Sequence, residues 1–180
     1  MKPVLVTLTA VAGLAVAVSG SSRLLATPAS AAPTTTMQQS GLKLLPPAAS
    51  AGQMALYGHV RTLVARGGHF EMRFDPALFT SGITASRAAL QSTGSSDVPN
   101  DNYVVEEGHR LLTYLLPTSA RITVLTNNGL GISATPITVS ELARMVNGGK
   151  HRALFEPLDS GVWILVHDDT VRSLDQQYRP

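Results

Sequence analysis

The stretch that most constrains this chain is VWILVH, Val162 to His167, followed at once by Asp168 and Asp169. In an extended backbone Val162, Ile164 and Val166 point one way, and Trp163, Leu165 and His167 point the other. Apolar groups on both sides predict a strand covered on both faces, not one lying half in water. The two aspartates predict a tight turn, because short carboxylates accept hydrogen bonds from nearby backbone amides. Residues 170–174 then read as the return strand of a hairpin, although Val171, Leu174 and Tyr178 also share a helical stripe. Any fold for this chain must bury that strand from two sides, with Trp163, the only tryptophan, as a core or interface anchor.

Upstream, period-two patterns recur. Residues 57–64 predict a first strand with Gly58 at a bulge or close approach, ended by Gly67 and Gly68. In residues 69–75, Phe70, Met72 and Phe74 alternate with His69, Glu71, Arg73 and Asp75, so the three apolar side chains face the core and the charged face is wet. Asp75 and Pro76 then carry a helix-start signal, an acceptor at the cap and a proline in the first turn. Thr84 is the expected cap of a second short helix over 85–91, so residues 76–100 read as an excursion from a β framework, and such connections often carry binding surfaces.

Residues 103–106 and 110–116 predict two further strands; a helix over 107–116 is the alternative for the second. The β-branched run RITVLT, 121–126, predicts another strand. Thr138 with Glu141 three residues later is the signature of a capped helix, with Leu142, Met145 and Val146 on its buried side and Asn147-Gly148-Gly149 as its stop. A short strand is expected near 153–156. The fold class is therefore mainly β with short helices. A small barrel of the oligonucleotide/oligosaccharide-binding (OB) type, partly closed and with a helix between its third and fourth strands, matches the element order. A small β-sandwich or an α+β roll is the alternative.

Before this domain, assigned to 54–180, lie two other segments. Met1 and Lys2 precede an apolar run, 4–18, that is shorter than the about 20 residues of a membrane span and has the order of an export signal, assigned to 1–31. Residues 32–53, rich in Ala, Pro, Thr, Ser and Gln, read as a flexible leader or spacer. Of the 14 Lys and Arg residues, Lys2 and Arg23 lie within the first 31, so the remainder balance the 12 Asp and Glu residues. The basic charge of the whole chain is thus no argument for nucleic-acid binding, which needs a concentrated basic surface. The chain has no cysteine, which excludes a disulfide framework, thiol chemistry and cysteine metal sites.

Candidate chemistry is sparse. Glu106 and His109 form an acid/base pair if the Gly108 turn brings them together, and His167 with the aspartates after it is a second, weaker candidate. No serine sits in a strained strand-to-helix elbow, and the five histidines lack metal-ligand spacing. Asp97, Asp101 and Asn102 are the one place where oxygen ligands for calcium cluster, but they lack the spacing of a calcium-binding loop, and ordinary turn and surface residues are the expected reading. No cofactor is expected. Trp163, His167, Tyr103 and His109 are the residues expected to contact a partner.

Residues 105–110, VEEGHR, and the terminal PLDSGVWILVHDDTVRSLDQQYRP resemble segments of secreted actinobacterial proteins of unestablished function, over about 57–180. The resemblance implies an exported bacterial setting and one compact domain; it carries over no catalytic residue, cofactor or partner. The expected function is a non-enzymatic extracellular binding or interaction module, secreted or cell-surface associated, for an extracellular protein or cell-envelope component. Membrane attachment is expected only if the N-terminal signal is retained. A protease inhibitor, a cell-surface structural module and a hydrolase are the alternatives.

Overall fold

Two long alternating strands start the fold. β1 (Met54–Arg66) and β2 (His69–Ser81) pair antiparallel through a two-residue glycine turn. β2 places Met72 and Phe74 in the core with no exposed surface, and Phe70 packs against them. The computed structural model describes residues 46–106, 108, 110–129 and 131–179. The expected export signal at 1–31 and the leader up to residue 45 lie outside the described residues, as does His109.

The remaining elements are α1 (Gly82–Thr93), β3 (Asn102–Glu106), β4 (Leu112–Pro117), β5 (Arg121–Asn127), β6 (Ile132–Ile137), α2 (Val139–Val146), a 3-10 turn at Leu158–Ser160, β7 (Val162–His167) and β8 (Thr170–Gln176). Five strands close a ring in the order β1-β2-β4-β8-β7, returning to β1. Numbered within the ring this is 1-2-3-5-4, with the third and fifth strands parallel and a helix between the third and fourth. The fold is an OB-like, partly closed barrel. Closure is narrow: β4 meets β8 at Leu115 and Thr170, and β5 continues the parallel contact from Arg121 to Thr123. β3 extends the sheet beyond β2, and the β5–β6 hairpin extends it beyond β8.

Leu63, Met72, Phe74, Leu116, Ile164 and Leu174 fill the interior, and α2 adds Val139, Leu142 and Ala143 to the same core. The expected cap of α2 is present, with the Glu141 N–H donating to Thr138 Oγ1 at 3.1 Å. Two bulges tune the inward pattern. Val60 pairs with Phe74 and Thr62 with Arg73, so Arg61 is extra; Leu165 pairs with Ser173 and Val166 with Val171, so Arg172 is extra. Each extra residue resets the alternation and lets two apolar residues three apart, Val60 with Leu63 and Val171 with Leu174, contribute to one core.

Several sequence expectations are corrected. Asp75 and Pro76 do not start a helix; they lie inside β2. Asp75 Oδ2 instead accepts from Arg61 Nε and Nη2 at 3.0 and 2.6 Å, and Pro76 sits opposite Gly58. β2 changes its second neighbour there, from β4 up to Phe74 to β3 from Ala77, so the missing proline N–H falls at a break in that ladder. The following helix begins at Gly82, not after Thr84, because the Asp101 carbonyl accepts from Gly82 N–H at 3.1 Å and satisfies the helix start without a side-chain cap. β6 matches no strand named from the sequence; its Thr135-Pro136 pair lies in an edge strand, where proline is tolerated. No strand forms at 153–156, where Phe155 N–H donates to the Leu125 carbonyl and the Glu156 carbonyl accepts from the Gln176 side chain, with no ladder. Residues 112–117 are strand, and residues 170–176 form the hairpin partner of β7. Asp168 and Asp169 have φ of 47° and 55°, the two left-handed residues of a type I′ turn.

Candidate functional site

One side of the barrel, bounded by β1, α2 and residues 151–159, holds a cleft of about 500 Å³. Val60 enters it from the bulged part of β1, Met145 and Val146 from the last turn of α2, and Leu154, Pro157 and Leu158 from the following loop. His151 and Asp159 supply its polar side chains. Asn147, just past α2, fixes that helix end to β1 by donating from Nδ2 to the Leu63 carbonyl at 2.8 Å. Arg152 ties the loop back to α2 through Nε to Glu141 Oε1 at 2.7 Å and Nη2 to Oε2 at 3.3 Å.

The loop wall is pinned from beneath by buried polar side chains. His59, 7 % exposed, brings Nδ1 to 2.9 Å from the Asp159 carbonyl, and Tyr57 donates its hydroxyl to the Ser160 carbonyl at 2.9 Å. Gln176 Nε2 donates to the carbonyls of Glu156 and Pro157 at 3.0 and 3.2 Å, while its Oε1 accepts from Leu125 N–H at 2.9 Å. A carbonyl only accepts, so His59 Nδ1 carries a proton. Its Nε2 lies 2.9 Å from Glu106 Oε1, and one proton lies between those two atoms. Both ring nitrogens are therefore engaged within the protein, and His59 acts as a strut between β1, the end of β3 and the loop.

Beside the strut, Tyr57, Phe79 and Trp163 form an aromatic cluster on the outer face of the sheet. The ring centroids lie 5.1 Å apart for Tyr57–Phe79, 5.2 Å for Tyr57–Trp163 and 5.8 Å for Phe79–Trp163. Gly161 packs against the Tyr57 ring so closely that a Cβ there would fall 2.0 Å from the hydroxyl oxygen. Burial pushes the Tyr57 phenol up from 10.0 to about 12; Arg179 opposes the rise, and Glu106 and Glu156 add to it. The folded value exceeds the unfolded one, so this contribution is complete below pH 10 and is lost as pH rises from 10 towards 12. It amounts to about 2 kcal/mol. Urea denaturation across that window is expected to show a steeper alkaline loss for the native chain than for Tyr57→Phe; equal slopes would refute the assignment.

The residues singled out in the sequence occupy different places. Trp163 is 7 % exposed and donates from Nε1 to Gln177 Oε1 at 2.7 Å, against the residues that follow β8. Tyr103 is half-buried on β3, three strands away from β7, and its carbonyl accepts from Thr80 Oγ1. His167 donates from Nδ1 to the Gly52 carbonyl at 2.8 Å, with Nε2 3.3 Å from Asp168 Oδ2. His109 lies outside the described residues, and Glu106 meets a histidine 47 positions away. Among the described residues no three His, Cys, Asp or Glu side chains group to hold a metal, and Asn102 spends its amide on the Asn100 carbonyl. No helix among them is long and apolar enough to cross a membrane.

Sequence reasoning missed the cleft. Met145 and Val146 carry a signal, as the apolar end of a capped helix, but Val60, Leu154 and Asp159 join them only through the bulge and the pinned loop. The struts were equally hidden, since the consecutive glutamines 176 and 177, 3 % and 2 % exposed, resemble an irregular polar tail. No family model, curated protein or solved structure matches this chain.

Proposed function

We propose that the domain is a non-enzymatic binding module whose ligand enters the cleft between β1, α2 and residues 151–159. The cleft itself carries this reading: about 500 Å³, six apolar side chains and two polar ones, with one wall fixed by three buried side chains. Those are the size and lining of a small-ligand or side-chain pocket, ~300–1,000 Å³ and mostly apolar. The His59–Glu106 pair favours binding over catalysis, because both imidazole nitrogens are spent on internal partners. The apolar run at 4–18 supports a secreted or cell-surface setting, and with it an extracellular protein or cell-envelope ligand.

Nucleic acid is a weaker fit. OB barrels that bind single strands use the face around the second and third strands, with aromatic side chains as stacking platforms. Here Phe74 and Tyr114 of those strands are buried, Phe70 packs on the core, and Arg61 and Arg73 are occupied by Asp75 and Thr113.

The neutral fluorophore N-phenyl-1-naphthylamine tests the reading. It is expected to bind the native domain saturably at one site, and Leu154→Trp, which fills the cleft from a loop residue outside the barrel core, is expected to weaken binding at least tenfold with an unchanged urea midpoint. Binding unaffected by Leu154→Trp, or no saturable binding, would remove the cleft as the site.

A further inference from the structure

We infer that the cleft selects a ligand ending in an alkylammonium group, an apolar chain with a terminal cation. The inference rests on the proposed cleft and on the Asp159 carboxylate in its lining. Asp159 has its main chain fixed by His59, yet its carboxylate makes no hydrogen bond or ion pair with any described residue. His151 Nδ1 lies 2.6 Å from the Arg152 carbonyl, so that nitrogen carries a proton and only Nε2 is left for another partner.

The other lining side chains, Val60, Met145, Val146, Leu154, Pro157 and Leu158, have no donor at all. The cleft thus presents the Asp159 carboxylate, which has no partner among the described residues, and no lysine or arginine lines it. A ligand that brings its own acceptor, such as a carboxylate or phosphate, would leave lone pairs facing lone pairs. A ligand that brings N–H donors and a positive charge satisfies the carboxylate while its methylenes cover the apolar lining. Arg152, the nearest loop cation in sequence, is committed to Glu141 and does not neutralise Asp159. A lysine side chain on a protein partner and a free amphiphilic amine share this chemistry.

The test compares n-octylammonium, n-octan-1-ol and octanoate below their aggregation concentrations, by displacement of N-phenyl-1-naphthylamine from the native chain. At low salt octylammonium is expected to bind about fivefold more tightly than octanol, as for one partly exposed ion pair, and octanoate more weakly than either. Asp159→Asn is expected to bring octylammonium and octanol within about twofold, and raised salt to shrink the native preference. Octanol or octanoate binding as tightly as octylammonium would overturn the charge selection and leave the cleft standing. Failure of all three probes, with fluorophore binding insensitive to Leu154→Trp, would instead overturn the cleft. Displacement of octylammonium by acetyl-Leu-Lys-Leu-amide supports the selection with a protein as the source of the group; displacement by free amines alone supports it with a small molecule.

Discussion

Gly58→Ala is expected to destabilise the domain by about 3–5 kcal/mol, a large part of what a domain of this size possesses. A Cβ at this position would stand 2.1 Å from the Asp75 carbonyl oxygen, 2.8 Å from Phe74 Cζ and 2.9 Å from Pro76 Cα. Two of those atoms are backbone, so no rotamer change relieves the clash. The strand cannot retreat either, because β1 is held on both sides, Gly58 pairing with Pro76 of β2 and with Val162 of β7. Accommodation requires parting the sheet or displacing Phe74, a core ring with no exposed surface. Urea denaturation measures the loss. A change below about 1 kcal/mol would mean that the β1–β2 approach is looser than described.

Trp163→Ala is expected to cost a similar amount, about 3–5 kcal/mol, and its comparison with Trp163→Phe separates two causes. The alanine variant removes the ring that packs against Tyr57 and Phe79 and opens a cavity on the outer face of β7. The phenylalanine variant keeps most of that packing but deletes the indole N–H, leaving Gln177 Oε1 buried without its donor at a cost of about 1–3 kcal/mol. Gln177 also donates its main-chain N–H to the Gly161 carbonyl at 3.1 Å, so both variants are expected to loosen the last residues against the Leu158–Ser160 turn. Amide exchange at 177–179 reads this directly. Unchanged protection in both variants would show that the tail is held by something other than Trp163.

The strands whose side chains alternate strictly were legible in the sequence. VWILVH reads as covered on both faces: Val162, Ile164 and Val166 are buried in the barrel, and on the other face Trp163 is buried in the aromatic cluster while Leu165 and His167 are half-buried. The α2 cap and stop were legible because they are local chemistry, a hydroxyl three residues from an amide and a glycine pair after the last turn. Bulges obscured the rest. The extra residue at Arg172 spaces Val171 and Leu174 three apart, the spacing of a helix, which is why the return strand also carried a helical stripe. Pro76 reads as the first turn of a helix, yet neither it nor Pro136 interrupts its strand: one faces a glycine where the ladder changes partner, and the other lies on an edge. The candidate site was illegible for a different reason. It joins Val60 to Met145 and Leu154, and His59 to Glu106 and Asp159, across separations that no local pattern encodes.

The β7–β8 hairpin is the clasp of the ring. It bonds Met54 to Val166 at one side and Leu115 to Thr170 at the other, joining the first barrel strand to the third. Pairings between such distant positions carry the entropic cost of closing long loops, which slows their formation. Until the hairpin docks, β1 and β4 each present an open row of N–H and C=O groups. The half-assembled barrel is therefore a sheet with two adhesive borders, and the interval before the clasp shuts is when this chain is most exposed to pairing with another copy of itself.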